Sequence, residues 1–119
     1  MDKKKWKSTI KKCTVMVGTY NKAFDPIIDT LADILAKRDQ AEELYQDEGA
    51  APTEVHTNKA GANNREINPL LKIINDLNRD ALAYWRDLGL TPAGLKKINE
   101  EAIKEKKASS LDTILSKLG

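Results

Sequence analysis

The chain has 119 residues, of which 40% are hydrophobic and 32% charged, and its 20 basic and 18 acidic side chains leave a formal net charge of +2. This composition predicts one soluble globular domain and excludes a disordered or fibrous protein. No apolar run approaches the ~20 residues that span a bilayer, and the lysine-rich start does not lead into a secretory signal. The single cysteine, Cys13, cannot form an internal disulfide and fits a reducing cytoplasm.

The charges are arranged in blocks of opposite sign. Residues 1–22 carry seven lysines against Asp2, whereas residues 23–50 carry eight acids against Lys37 and Arg38. A basic segment followed by an acidic one favours either contact with nucleic acid or charge pairing between subunits. A solvated tail that keeps the protein soluble is the third interpretation.

The first elements in the chain are a basic arm and a long helix. Residues 8–17 predict a short helix or an irregular arm that ends at Gly18. An acceptor side chain followed by proline at Asp25-Pro26 starts a helix that runs to about Glu48 and stops at Gly49. Arg38 lies within its apolar stripe, either with its stem on apolar surface or in an ion pair between subunits.

Two turn-bounded segments follow. Residues 49–67 lack a helical period, and Thr53 to Thr57 with Arg65 to Ile67 predict a small β-hairpin or a loop. Asn68-Pro69 then starts a second helix that ends at Leu88 before Gly89. Its apolar residues spread over about half of its circumference, more than one partner helix covers, so the pattern predicts oligomerisation. The candidate oligomerisation residues are Ile27, Leu31, Ile34, Leu70, Ile74, Leu77 and Trp85.

The C-terminal part predicts two shorter helices. Thr91-Pro92 starts a helix to about Lys106, and Ala108-Ser109-Ser110 indicates a hinge. After the hinge, four apolar residues at i, i+3, i+4 and i+7 form a small amphipathic tail. Such a segment folds when it lies in a groove of its own subunit or of another protein. Its apolar face consists of Leu111, Ile114, Leu115 and Leu118.

The sequence offers little for catalysis. His56 is the only histidine and Cys13 the only thiol, and no zinc spacing or phosphate-binding loop is present. Asp29 and Asp33 are one turn apart and could hold a divalent ion, although such pairs are usually a solvated face. We therefore predict a protein that is not an enzyme and that has no metal and no cofactor.

Two motifs resemble one protein family. Residues 57–61 (TNKAG) lead to Asn68-Pro69-Leu70, and residues 88–92 (LGLTP) lead to Gly94-Leu95-Lys96-Lys97. This order over about residues 18–98 resembles the small terminase subunits of tailed bacteriophages, of the P27 type. The resemblance implies a ring-forming factor that engages viral DNA at the packaging start, in the host cell cytoplasm. It also implies a large terminase subunit as the partner that holds the ATPase and nuclease. Within the motifs, Asn58, Lys59 and Gly61 would shape the hairpin tip.

In this family context the DNA contact has to come from charge. Lysines repeated around a ring would bind phosphates strongly by multiplicity and without reading bases. Trp6 would either stack on a base or anchor the arm on its own subunit. The candidate DNA-binding residues are Lys3, Lys4, Lys5, Lys7, Lys11, Lys12, Lys96 and Lys97. The tail would contact the large subunit or pack on its own ring.

The expected fold is mainly α. Two long helices form an antiparallel hairpin joined by a loop or small β-hairpin, shorter C-terminal helices follow, and the subunits assemble into a ring. The expected segments are a basic arm (1–22), a helical oligomerisation core (23–107, with its hairpin at 50–67), and a hinge with the tail (108–119). The alternative is a small dimeric DNA-binding regulator of helix-turn-helix type, which would read two half-sites.

Overall fold

A computed structural model describes residues 1–118, so Gly119 at the end of the predicted tail lies outside the described residues. Within residues 1–118, four α-helices and one two-stranded antiparallel sheet make up the fold, which confirms the mainly α prediction and the small β-hairpin. The elements are α1 (Lys3–Val17), a 3₁₀ turn (Lys22–Phe24), α2 (Asp25–Asp47), β1 (Thr53–Thr57), β2 (Asn63–Ile67), α3 (Pro69–Asp87) and α4 (Pro92–Leu118).

Helix α2 begins and ends where its local signals indicate. Pro26 occupies the first turn, and Gly49 with φ +97° follows the last one. The cap itself differs from the expectation, because Asp25 lies inside the helix and its carboxylate accepts a hydrogen bond from the Tyr20 hydroxyl at 3.2 Å. Tyr20 thereby ties the entry of the chain to the start of α2.

The β-hairpin has the register Thr53↔Ile67 to Thr57↔Asn63. At its tip the Asn58 side chain accepts hydrogen bonds from the backbone N–H groups of Ala60 (3.0 Å) and Ala62 (2.9 Å). Gly61 adopts φ +80°, a backbone conformation that residues with a Cβ atom rarely adopt. Asn58 and Gly61 therefore shape the turn as the motif implied.

Asn68 fixes the start of α3 relative to the end of α2. Its buried side chain accepts from the Leu70 backbone N–H at 2.9 Å and donates to the Ala51 carbonyl at 3.0 Å. At the other end of α3, the Thr19 hydroxyl donates to the Leu88 carbonyl at 2.7 Å. These two contacts place the start of α3 beside the end of α2, and the end of α3 beside the chain that leads into α2. The two helices therefore form the predicted antiparallel hairpin.

The core lies where α2 is packed between α1 and α3. Its fully buried side chains include Ile10 from α1, Leu31 and Leu35 from α2, and Ala81 from α3. The first segment of the chain is thus a docked helix and not a free arm, because Ile10 is completely enclosed.

Two of the seven candidate oligomerisation residues belong to this subunit's own interior. Leu31 is 0% exposed and Ile74 is 4% exposed, so both side chains pack inside their own subunit and only the other five candidates reach its surface. Ile34, Leu70, Leu77 and Trp85 are half-buried, and Ile27 is exposed. On α3, Ile73 and Leu82 remain about half exposed, so part of its broad apolar face is uncovered in the monomer.

Helix α4 corrects the expectation of a hinge. It runs without a break from Pro92 to Leu118, through Ala108, Ser109 and Ser110. No glycine or proline interrupts it there, alanine is the strongest helix former, and the upstream turns already supply the nucleus. From residue 101 to 118 every residue is exposed, and the molecule measures 83 × 30 × 20 Å. None of the helices within residues 1–118 is both long and apolar enough to cross a membrane.

Candidate nucleic-acid interface

Helix α1 carries six lysines and no acidic residue between Lys3 and Val17. It starts at Asp2, whose carboxylate accepts from the Lys5 backbone N–H at 2.8 Å, and it ends at Gly18 with φ +78°. One side of the helix, with Ile10 and Thr14, is buried against α2. Lys4, Lys5, Lys11 and Lys12 point away from that side, so docking α1 concentrates positive charge on the surface opposite α2.

Trp6 anchors α1 on its own subunit. Its indole N–H donates to the Asp39 carboxylate at 2.7 Å, and the guanidinium of Arg38 lies 5.5 Å from the centre of its ring. Arg38 also donates to Asp39 at 3.0 Å and to Asn78 on α3 at 3.3 Å. Trp6 thus anchors α1 on its own subunit, which was one of the two roles expected for it. Arg38 forms an ion pair with Asp39 of the same chain and not the ion pair between subunits that was one of its two expected roles.

Asp29 on α2 holds two of the lysines. The ammonium groups of Lys3 and Lys7 lie 3.1 and 3.4 Å from its two carboxylate oxygens. The hydrogen bond from Lys3 is the largest influence on Asp29 and, with that from Lys7, holds its pKa below the ordinary value of 3.8 despite partial desolvation. These two lysines therefore help to dock α1 and have less charge to offer a ligand.

The other lysines of α1 divide into two kinds. Lys11 lies with its ammonium 5.1 Å from the centre of the Tyr20 ring, and a hydrogen bond with Tyr20 raises the pKa of Lys11. Lys4, Lys5 and Lys12 are exposed and form no ion pair with any residue in 1–118; we call them the free lysines. At about 100° per residue they fall within an arc of about 100° opposite the buried side of α1.

The lysines of α4 are more nearly balanced by acids. Lys96 lies 4.0 Å from Glu100, and Lys97 is exposed nearby. Glu100, Glu101 and Glu105 are interleaved with the lysines along the same helix. Among the predicted DNA-binding residues, the structure therefore gathers the unbalanced charge on α1.

The candidate metal ligands are engaged otherwise. Asp29 is paired with Lys3 and Lys7, and Asp33 with Lys37 at 2.8 Å. In the described part of the chain, no group of three or more His, Cys, Asp or Glu side chains could hold a metal ion. His56 is a strand residue whose Nε2 lies 3.5 Å from Glu54 and 3.7 Å from Glu66.

We expect the docking of α1 to weaken as the pH falls below about 4. Burial raises the pKa of Asp39, but hydrogen bonds from the N-terminal amine, Trp6 and Arg38 outweigh it, so the net pKa lies below 3.8, as does that of Asp29. A depressed folded-state pKa gives stability that is present above 3.8 and is lost as the pH falls through the folded-state value. The indole N–H resonance of Trp6 should then shift towards its solvent-exposed position.

The matched variant for this prediction is Asp39→Asn. It keeps an acceptor for Trp6 but loses the charge, so we expect about 1 kcal/mol less stability at pH 7 and a weaker acid transition. Asp47→Asn is the control, since Asp47 is exposed and outside this cluster. An acid transition of Trp6 that is the same in both variants would contradict the role of Asp39.

Sequence reasoning missed the partners that dock α1. Asp39 is 33 residues from Trp6, and Thr19 is 69 residues from Leu88. Neither pair follows a local rule of spacing or capping. Trp6 and Ile10, four residues apart, lie on the docked side of α1, whereas Val17 at a similar helical spacing is 38% exposed.

The structure thus defines a small helical protein with one strongly basic helix docked on a helical hairpin. Residues 3–105 match the family described as phage terminase, small subunit, and this chain belongs to that family. The resemblance of the two sequence motifs to small terminase subunits is thereby confirmed at the level of the family. No curated protein and no solved structure matches the chain.

Proposed function

We propose that this chain is the DNA-engaging, non-catalytic subunit of a phage packaging terminase and acts in the host cytoplasm. It assembles into a homo-oligomeric ring, binds double-stranded viral DNA and regulates the ATPase and nuclease of the large terminase subunit. The observation that carries the DNA contact is the free lysine set on α1, a helix without acidic residues in a family of packaging proteins. The family match favours this function over a dimeric helix-turn-helix regulator.

Charge alone makes such a surface bind phosphates without reading sequence. Each lysine that neutralises a phosphate releases condensed counterions, so affinity depends steeply on salt. A few contacts from one subunit are weak, but a ring presents the same lysines from every copy. Once one subunit has bound, the others meet the same DNA at a high effective concentration, so the avidity of the ring for DNA is much higher than the affinity of one subunit.

Replacing Lys4, Lys5 and Lys12 together by alanine is expected to weaken DNA binding sharply. If each lysine contacts one phosphate, the slope of log affinity against log salt becomes shallower by about 3 per subunit engaged, at about 0.9 per contact. The measurement is fluorescence anisotropy with duplex DNA between about 50 and 200 mM salt. The three side chains are exposed, so the substitutions leave the core in place.

The control removes the same charge from α4, as Lys104, Lys106 and Lys107→Ala. A loss of affinity as large as that of the α1 variant would move the DNA contact to α4. Truncating residues 2–12 is a poorer test, because it removes Trp6 and the fully buried Ile10 and so disturbs the core. Point substitutions separate the charge of α1 from its structural role.

A further inference from the structure

An apolar groove lies at the corner where α1 ends and α4 begins. Its volume is about 760 Å³, within the range of pockets that enclose most of a small ligand. The exposed side chains in it include Met16, which is 83% exposed, and Leu82, which is 53% exposed. The lining also includes Cys13, Trp85 and Leu95, and we call this groove the corner groove.

The last two turns of α4 present a second uncovered apolar surface. Leu111, Ile114, Leu115 and Leu118 are 54–79% exposed, and we call them the tail face. At about 100° per residue, the tail face points about 180° away from the stripe with Leu95 and Ile98, which is half-buried against the subunit's own body. The uncovered side of the tail is thus turned away from the body of its own subunit.

The tail cannot fill the corner groove of its own subunit. Leu95 lines that groove, and Leu115 lies 20 residues further along the same unbroken helix, about 30 Å away at ~1.5 Å per residue. Pairing of two tails as a coiled coil is also poorly supported. The tail face spans about one heptad, and on its N-terminal side Lys104 and Lys107 interrupt the apolar pattern. A coiled-coil seam is sustained over several heptads.

We propose that the tail face of one subunit lies in the corner groove of the next subunit. The four residues at i, i+3, i+4 and i+7 form the kind of helix face that docks in an apolar groove. Because the donated and receiving surfaces differ, the contact is head-to-tail, and repeating it generates a ring when the rotation closes. The inference rests on the ring assembly of the proposed function and identifies the surfaces that would build it.

The buried area explains why a ring and not a pair would be the stable form. With on the order of 100 Å² for a leucine-sized side chain, the four half-exposed residues bury about 250 Å², and the contact buries about 500 Å² when the groove surface is counted as well. A stable pairwise interface needs about 1,200–2,000 Å². A closed ring makes every subunit both donor and receiver, so its contacts form together, and monomers and closed rings should dominate over isolated dimers.

Cys13 provides the direct test, since it is the only cysteine and lies in the corner groove. In Leu115→Cys, mild oxidation is expected to join the introduced thiol to Cys13 of the neighbouring subunit, since a disulfide requires the two Cα atoms to lie within about 4–7 Å and the proposed docking places both residues in one groove. A non-reducing gel should show a ladder of covalent oligomers. Ser116→Cys is the matched control on the opposite side of the same turn, and Cys13→Ser in the Leu115→Cys background should abolish the ladder.

Each other outcome overturns the proposal in a distinct way. Dimers alone, closed by two disulfides, would mean reciprocal exchange between two copies and not a head-to-tail ring. Absence of crosslinking in an oligomeric protein would leave the tail face free for another protein, such as the large subunit. A monomeric native mass at all concentrations would remove the ring itself.

A second pair of variants tests the contact without disulfide crosslinking. Leu115→Asp is expected to raise the protein concentration needed for half-assembly by at least about tenfold, because it places a charge in an apolar groove. Ser116→Asp adds the same charge outside the tail face and should leave assembly unchanged. Assembly through apolar contacts should also persist in high salt, whereas DNA binding through lysines should not, so the two proposals can fail separately.

Discussion

Gly94→Ala is expected to destabilise the protein, although alanine is the better helix former by about 1 kcal/mol in a helix interior. A Cβ atom at residue 94 would lie 2.1 Å from the carbonyl oxygen of Arg86 and 2.9 Å from its carbonyl carbon. Both are backbone atoms of α3, so the clash cannot be relieved by turning a side chain. Helix α4 would have to move away from α3.

The expected loss is about 1–3 kcal/mol, the typical result of forcing extra volume into a close contact. Urea unfolding gives this value from the shift in the transition midpoint at constant slope. Ala93→Gly is the matched control one residue earlier, at an exposed position of the same turn. There glycine should be the worse residue, by up to about 1 kcal/mol.

The two variants therefore test a predicted preference at each position, measured as the change in the free energy of unfolding. Glycine is preferred at 94 because of the approach of α3, and alanine is preferred at 93 because helix propensity decides at this exposed position. If Gly94→Ala stabilised the protein, helix propensity would dominate and the contact between the α3 carbonyl and α4 would not restrict this site. If Gly94→Ala destabilises the protein as expected, this glycine of the second sequence motif has an architectural role.

The elements that could be predicted from the sequence are those fixed by local chemistry. Asn68-Pro69 and Thr91-Pro92 set helix starts through caps and the fixed φ of proline, and Gly49 and Gly89 end helices in left-handed conformations. The hairpin followed from alternation and turn residues. These signals act within a few residues, so a single chain is enough to detect them.

The docking of α1 and the state of its lysines could not be predicted in this way. Which lysine is free depends on where Asp29 lies in space, and nothing in the spacing of residues 3–12 reveals that Lys3 and Lys7 share its carboxylate. The broken-helix expectation at residues 108–110 failed for the opposite reason. Two serines of modest helix propensity do not end a helix that the turns before them have already nucleated.

The division between core and interface is a related limit of apolar patterns. A stripe on a helix shows that one side avoids water, but it does not tell whether its own subunit or another one covers it. Ile27 and Leu31 are one turn apart on the same stripe of α2, yet Ile27 is 38% exposed and Leu31 is 0% exposed. The structure assigns them to different surroundings, and their alanine variants should differ accordingly.

Leu31→Ala is expected to lower the free energy of unfolding by about 2–5 kcal/mol, because it leaves a cavity between α1, α2 and α3. Ile27→Ala removes a side chain that is already partly in water, so its cost to the isolated subunit should be smaller, about 1–2 kcal/mol. Urea unfolding at several protein concentrations measures both effects. Equal losses in the two variants at low concentration would contradict the burial that separates them.

The concentration series also decides what covers Ile27. Association stabilises a folded subunit by mass action, so the unfolding midpoint of an assembling protein rises with its concentration. If Ile27 lies in a subunit interface, Ile27→Ala flattens this rise and lowers the low-concentration midpoint much less than Leu31→Ala does. Leu31→Ala should lower the midpoint by a similar free energy at every concentration, because a core cavity weakens the subunit whether or not it is assembled. A steep rise that is unchanged in Ile27→Ala would place the subunit contacts elsewhere, on surfaces such as the corner groove and the tail face.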